Sequence, residues 1–146
     1  MMNFKRLKDL REDRDLYQKE IANYLGITQS NYSKWEIGTK IIPLKYLNKL
    51  CNYYNVSMDY MLEITNKKFD KSIKKLDSLD KAIIGKRIKT IRDTNNLTVR
   101  DVAKELITTP STISAYETGK TLILTSFAYE LCKKYNVSLD WLCGRK

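Results

Sequence analysis

Four polar residues in the first half of the chain have the chemistry to recognise the edges of DNA bases. They are Gln29, Ser30, Ser33 and Lys34. Their spacing brings them together on one face if this stretch is helical. Glutamine can pair with adenine through two hydrogen bonds, lysine can donate to the acceptors of guanine, and serine can pair with several bases. These are residue types that can reach base edges in the major groove of a duplex.

Two short helices joined by a tight turn are predicted to hold this face. Gly26 follows an apolar helix face and can end the first of the two helices in a left-handed conformation at little steric cost. Thr28 can cap the second, whose inward face would be Tyr32 and Trp35. Ala22 is small where the two helices would press together. The local pattern alone also fits two amphipathic helices of any small α-domain.

The pattern occurs twice in the chain. Residues 5–62 align with residues 86–143 without a gap. The segment YNVSMDYM at 54–61 then meets YNVSLDWL at 135–142, and KWEIG at 34–38 meets AYETG at 115–119. We interpret the chain as one unit that has been duplicated and has diverged. This predicts two small domains of about 60 residues each rather than one large one.

Composition narrows the class of protein. The net charge of +10 favours a polyanionic partner, although a basic surface kept only for solubility is the alternative. No stretch approaches the ~18 apolar residues of a membrane span, and the N-terminal segment becomes charged too soon for a signal peptide. The chain has no histidine, and its three cysteines form no C-x-x-C pair, which argues against a zinc site. Cys51 and Cys132 share one repeat position and are predicted to be reduced core residues. We expect a cytoplasmic protein that needs no cofactor and no membrane.

Five helices and no strand are predicted in each unit. In the first unit, Asn3 can cap the first helix, and Gly38 can end the third. A short basic loop with Lys40 follows, Pro43 starts the fourth helix, and Ser57 caps a short fifth one. The second unit repeats this order, with Pro110 in the first turn of its third helix.

Residues 63–80 mark the boundary between the units. They are polar and rich in lysine, which is typical of a linker. Their apolar residues nevertheless keep a helical spacing that runs into the second unit. We therefore predict a connecting helix rather than a flexible tether.

At these positions each unit resembles the five-helix helix-turn-helix domain of the Cro/phage-repressor (XRE-type) family of bacterial transcription regulators. The resemblance covers most of the chain outside residues 63–80 and is strongest in the first unit. The matching positions there are Gln18, Ala22, Gly26, Thr28, Trp35, Glu36, Gly38, Pro43 and the segment NVSMD at 55–59. The resemblance implies an all-α fold of two tandem lambda-repressor-like domains, at residues 1–62 and 81–146, joined by the helical linker.

The resemblance also implies roles for individual residues. In that family the third helix lies in the major groove, while the start of the second helix and the loop after the third contact the DNA backbone. Carried over to this chain, the base contacts are Gln29, Ser30, Ser33 and Lys34. The backbone contacts are Gln18, Thr28, Asn31 and Lys40.

The second unit departs from the pattern. Val99 stands in the place of Gln18, so one phosphate contact is lost. Ile107 stands in the place of Gly26, and a β-branched residue is poorly suited to a positive φ, so this turn must change shape or carry strain. The resemblance leaves Ser111 and Ser114 as base contacts and Arg100, Thr109 and Lys120 as backbone contacts. Weak binding, binding of a looser sequence and a role in assembly all stay open for this unit.

Two pairs of opposite charges recur in both units. Arg11 and Glu36 in the first unit align with Arg92 and Glu117 in the second. The resemblance implies that each pair ties the first helix to the end of the third, beside the structural residues Ala22 and Gly26. The alternative is two unrelated surface charges. We favour the pairing because both members recur together.

We predict a sequence-specific double-stranded DNA-binding transcriptional regulator that acts as a repressor. The alternative is a protein-interaction module, such as an antitoxin or anti-repressor, in which one unit no longer reads DNA. The sequence has no glycine-rich phosphate loop, no metal-ligand cluster and no nucleophile–base set, so we expect no enzyme and no small-molecule substrate. A homodimer, and a protein partner of the second unit, are left open.

Overall fold

The computed structural model describes residue 2 and residues 4–146. Over these residues the chain forms ten α-helices and no strand. Asn3, which we predicted to cap the first helix, lies outside the described part. The chain divides into two compact units, Met1–Asp77 and Ser78–Lys146. The prediction of an all-α chain with two five-helix units is confirmed.

The first unit packs five helices around an apolar core. They are α1 (Lys5–Asp13), α2 (Gln18–Leu25), α3 (Gln29–Ile37), α4 (Leu44–Tyr54) and α5 (Met58–Met61). Local sequence signals set their ends, because Gly26 and Gly38 adopt left-handed conformations after α2 and α3. Ser57 accepts a hydrogen bond from the backbone N–H of Tyr60 and so caps α5. Cys51 is buried and is not part of a disulfide, as predicted.

The second unit repeats this order with a longer first helix. Its helices are α6 (Lys81–Thr94), α7 (Val99–Glu105), α8 (Pro110–Glu117), α9 (Thr125–Lys134) and α10 (Leu139–Leu142). Gly85 lies within α6 and is buried against the carbonyl oxygens of Tyr116 and Glu117 in α8. The absence of a side chain at Gly85 therefore lets α6 approach the end of α8 closely.

The prediction of a helical linker is wrong. Residues 63–80 contain no helix, and residues up to Asp77 belong to the first unit. The carbonyl oxygen of Leu76 accepts hydrogen bonds from Asn48 Nδ2 at 2.9 Å and Asn52 Nδ2 at 2.8 Å, one turn apart on α4. The carbonyl of Lys68 accepts from the backbone N–H of Ser57 at 3.1 Å. These contacts hold the segment in an irregular path along α4 and α5, where they outweigh its local helical spacing.

None of the helices in the described part of the chain combines the length and the apolar character that crossing a membrane requires.

Candidate nucleic-acid interface

The turn between α2 and α3 sets which side chains of α3 point outward. Gly26 has a φ of 72°, and the N–H of Ile27 donates to the carbonyl of Ala22 at 3.0 Å. Thr28 then caps α3 by accepting a hydrogen bond from the N–H of Asn31 at 3.2 Å. Because the Thr28 hydroxyl accepts this bond through its oxygen, its own proton is still available to donate to a phosphate.

The predicted base contacts lie on the outer side of α3. Tyr32 and Trp35 are buried on its inner side and anchor the helix. The opposite side carries the predicted contacts, of which Gln29 and Ser30 are exposed and Ser33 and Lys34 are half-buried. An open groove next to Gln29 is also lined by Gln18, Lys19, Glu20 and Asn23. The fold thus brings a predicted base contact, Gln29, next to a predicted phosphate contact, Gln18.

The predicted backbone contacts flank α3 at both ends. Asn31 is exposed in its first turn, and Lys40 is exposed in the loop after it. This loop is held tightly, because the N–H groups of Gly38, Thr39 and Lys40 all point to the carbonyl of Lys34, at 2.9, 3.0 and 3.3 Å. The position of Lys40 is therefore tied to the end of α3.

A partly buried ion pair connects α1 to α3. Arg11 Nε donates to Glu36 Oε2 at 2.7 Å, and Arg11 Nη2 donates to Oε1 at 3.0 Å. Gln18 Nε2 donates to the same Oε1 at 3.1 Å, so the start of α2 joins the pair. Burial, the largest single influence, would raise the pKa of Glu36, but the hydrogen bonds to its carboxylate, foremost that from Arg11, and the positive charge of Arg11 together outweigh it and hold that pKa below its ordinary value. Glu36 stays ionised and fixes the amide of Gln18.

The second unit contains the same pair. Arg92 Nε donates to Glu117 Oε2 at 2.8 Å, and Nη2 donates to Oε1 at 3.0 Å. Arg92 Nη1 also donates to the carbonyl of Leu97, as Arg11 Nη1 does to that of Leu16. The first and third helices of the two units are therefore held by the same bonds. The third donor, Gln18, has no equivalent because Val99 stands in its place.

Comparisons with known proteins agree with the duplicated architecture. Helix-turn-helix family models match residues 7–61 and residues 85–145. The chain is 32% identical over 79 residues to the cryptic phage CTXphi transcriptional repressor RstR of Vibrio cholerae; the match spans 51% of this chain and 71% of RstR. The chain belongs to the XRE-type helix-turn-helix family.

Two further relatives of this helix-turn-helix chain match shorter parts of their own lengths. The SPbeta prophage-derived HTH-type transcriptional regulator YonR of Bacillus subtilis is 43% identical over 65 residues, which span 44% of this chain and 60% of YonR. Antitoxin PezA of Streptococcus pneumoniae is 36% identical over 53 residues, 36% of this chain and 34% of PezA.

The helix-turn-helix motif of the second unit presents a smaller outer face. Thr109 caps α8 by accepting from the N–H of Thr112 at 3.2 Å, and its hydroxyl also lies 3.0 Å from that of Thr112. Ser111 and Ser114 are exposed on the outer side, and Ala115 is half-buried. The predicted backbone contacts Arg100 and Lys120 are exposed. This helix-turn-helix motif keeps its flanking positive charges and loses the long polar side chains at its centre.

The turn of the second helix-turn-helix motif carries strain. Ile107 has a φ of 56°, and the N–H of Thr108 donates to the carbonyl of Ala103 at 2.9 Å, which reproduces the turn of the first unit. A left-handed conformation costs a residue other than glycine about 1–2 kcal/mol. Ile107 is 91% exposed, so its side chain gains little packing in return. Of the two outcomes that we predicted, a changed turn or strain, the chain adopts strain.

Ile107→Gly should raise the free energy of unfolding of the second unit by about 1 kcal/mol, because relief of left-handed strain exceeds the added flexibility of the unfolded chain. The matched change in the first unit is Gly26→Ile, which should lower that unit's stability by at least this amount. No atom lies within 4 Å of a Cβ built at Gly26, so its cost would come from the backbone alone. Urea unfolding of each variant measures both effects. A destabilised Ile107→Gly variant would contradict the account of strain.

Two arginines at matching positions of the first helices, Arg6 and Arg87, turn towards the last helices of their units. Arg6 donates through Nη1 to the carbonyl of Thr65 at 2.6 Å, and its guanidinium lies 4.0 Å from the centre of the Tyr60 ring. Arg87 donates to the carbonyl of Trp141, and its guanidinium lies 5.1 Å from the centre of the Trp141 ring. Both join the first helix of a unit to its last. The recurrence of an arginine and an aromatic residue at matching positions was the signal that could have revealed them.

Proposed function

We propose that the chain binds specific sites in double-stranded DNA and represses transcription by occupying them. The observation that carries this proposal is the outer face of α3. It is polar, it is anchored from behind by Tyr32 and Trp35, and it is tied to α1 through Arg11 and Glu36. An outward helix of this kind fits the width of the major groove. The family membership and the printed name of RstR, a transcriptional repressor, support the same function.

On this proposal the first unit makes two kinds of contact, one with base edges and one with the DNA backbone. Gln29, Ser30, Ser33 and Lys34 meet base edges. Gln18, Thr28, Asn31 and Lys40 meet the DNA backbone, and Arg100, Thr109 and Lys120 of the second unit do the same. Backbone contacts fix the register of the protein on the duplex but carry no sequence information. The proposal also implies a cytoplasmic location. The homodimer stays a prediction, and measuring the mass of the complex with DNA would test it.

Substitutions on α3 and in the loop after it should separate the two roles. Gln29→Ala and Lys34→Ala should each weaken binding to the cognate site by about 1–3 kcal/mol more than binding to random DNA, since each removes a base contact. Lys40→Ala should weaken both by similar factors and reduce the log–log salt slope by about 0.9. The measurement is a pair of affinities for each variant, on cognate and random duplexes, over a range of salt concentrations.

Lys40→Ala is the matched control for Lys34→Ala, because both remove one positive charge from neighbouring surface positions. If Lys34→Ala and Gln29→Ala reduced cognate and random affinity equally, α3 would not be the reading helix.

A protein-interaction module is the second candidate, and two features of the second unit are compatible with it. Its outer helix face is small, and Ile107 is exposed beside it. One of the relatives is named an antitoxin. If this candidate holds, the footprint on an operator should cover a single half-site, and removal of the second unit's positive charges should leave affinity unchanged.

A further inference from the structure

We propose that the second unit selects thymine, through contact between the methyl group of Ala115 and the C5-methyl group of the base. The DNA site would then be asymmetric, because each unit would prefer a different base sequence. This inference rests on the proposed function, because it assigns a base preference to the second helix-turn-helix motif.

The two outward helices sit in equivalent frames within their own units. Thr28 and Thr109 cap them in the same way, each accepting a bond of 3.2 Å from the N–H three residues later. At their ends, the N–H of Thr39 donates to the carbonyl of Lys34 at 3.0 Å, and the N–H of Lys120 donates to that of Ala115 at 3.0 Å. Ala115 therefore occupies the place of Lys34.

The side chains on the outer face of α8 can select only one chemical group on the edge of a base. Pro110 replaces Gln29 and Ala115 replaces Lys34, so no amide and no charged group points outward from these two positions. Ser111 and Ser114 can donate or accept, and therefore pair with any base. The only apolar group that a base edge presents in the major groove is the C5-methyl of thymine, and alanine is a side chain that contacts it.

The charges around α8 favour DNA over a protein as the occupant of this face. Arg100 and Lys104 on α7 and Lys120 after α8 are all exposed. A phosphate backbone on either side of a groove would meet these charges while the short side chains of α8 approach the base edges. Short side chains also allow the helix to come nearer to the groove floor than Gln29 and Lys34 would.

A scan with deoxyuridine tests the contact directly, because it removes only the methyl group. Each thymine in the footprint would be replaced in turn, and the affinities of the unmodified protein and of Ala115→Gly would be measured on every duplex. At one or two thymines the unmodified protein should lose about fourfold in affinity, the effect of one buried methyl. On those duplexes Ala115→Gly should bind thymine and deoxyuridine within about twofold of each other.

This design is a double-mutant cycle, so any loss of stability caused by a helical glycine cancels between the two duplexes. Methyl sensitivity that disappears in Ala115→Gly supports the proposal. A specific footprint in which no thymine couples to Ala115 overturns it while leaving the proposed function intact. Failure to find any specific footprint would instead refute the proposed function itself.

Discussion

Replacing Arg145 with methionine should lower the free energy of unfolding of the second unit by about 3–5 kcal/mol, the usual cost of removing one partner from a buried ion pair. Arg145 Nε lies 3.0 Å from Asp140 Oδ1, and the two side chains are only 1% and 0% exposed. Methionine fills a similar volume, so the loss would come mainly from removing the positive charge of Arg145 beside the buried carboxylate of Asp140.

The double variant Arg145→Met, Asp140→Asn is the control for this prediction. It removes both charges, so it should be more stable than Arg145→Met alone. The chain has two tryptophans, Trp35 in the first unit and Trp141 in the second. In a Trp35→Phe background, urea unfolding followed by tryptophan fluorescence therefore reports on the second unit only. Equal stability of the single and double variants would show that the buried charge is not the cause.

Gly85→Ala should destabilise the second unit by about 2–3 kcal/mol, towards the upper end of the range for overpacking. A Cβ at this position would meet the carbonyl oxygens of Tyr116, at 2.5 Å, and Glu117. Both contacts are backbone atoms of α8, which cannot rotate away as a side chain can. Alanine favours a helix over glycine by about 1 kcal/mol, so the clash must exceed this gain.

Lys89→Ala on the same helix is the matched control, since Lys89 is exposed and its replacement should change stability little. The same Trp141 fluorescence would follow both variants. A Gly85→Ala protein as stable as the parent would mean that α6 and α8 can move apart without cost. Because Glu117 ends α8 and pairs with Arg92, we also expect Gly85→Ala to disturb that ion pair.

The sequence predicted those structural features correctly that depend on local interactions or that occur in both units. Gly26 and Gly38 end their helices in left-handed conformations, and Thr28 and Thr109 cap the helices that follow. A cap or a left-handed turn depends on residues within one turn of helix, so it can be read from a short pattern. The duplication also indicated contacts between residues that are far apart in the sequence. The pairing of Arg11 with Glu36 could be predicted because Arg92 and Glu117 repeat it.

Other features depend on contacts between residues far apart in the chain, and only the tertiary structure decided them. The side chains of Asn48 and Asn52 capture the carbonyl of Leu76, which overrides the helical spacing of the segment after α5. Arg6 and Arg87 turn towards the last helix of their units, and both contacts join residues more than 50 positions apart.

The buried pair of Arg145 and Asp140 was missed for a related reason. Arg145 aligns with Ile64 of the first unit, so the duplication gave no sign of a charge there. The backbone turn is nevertheless the same, because the N–H of Ile64 donates to the carbonyl of Asp59 as that of Arg145 does to Asp140, each at 2.8 Å. Sequence determined the helices, their caps and the outward face of α3, since these follow from local preference and periodicity. Tertiary packing decided which charges are buried, because burial depends on the helices that surround a side chain.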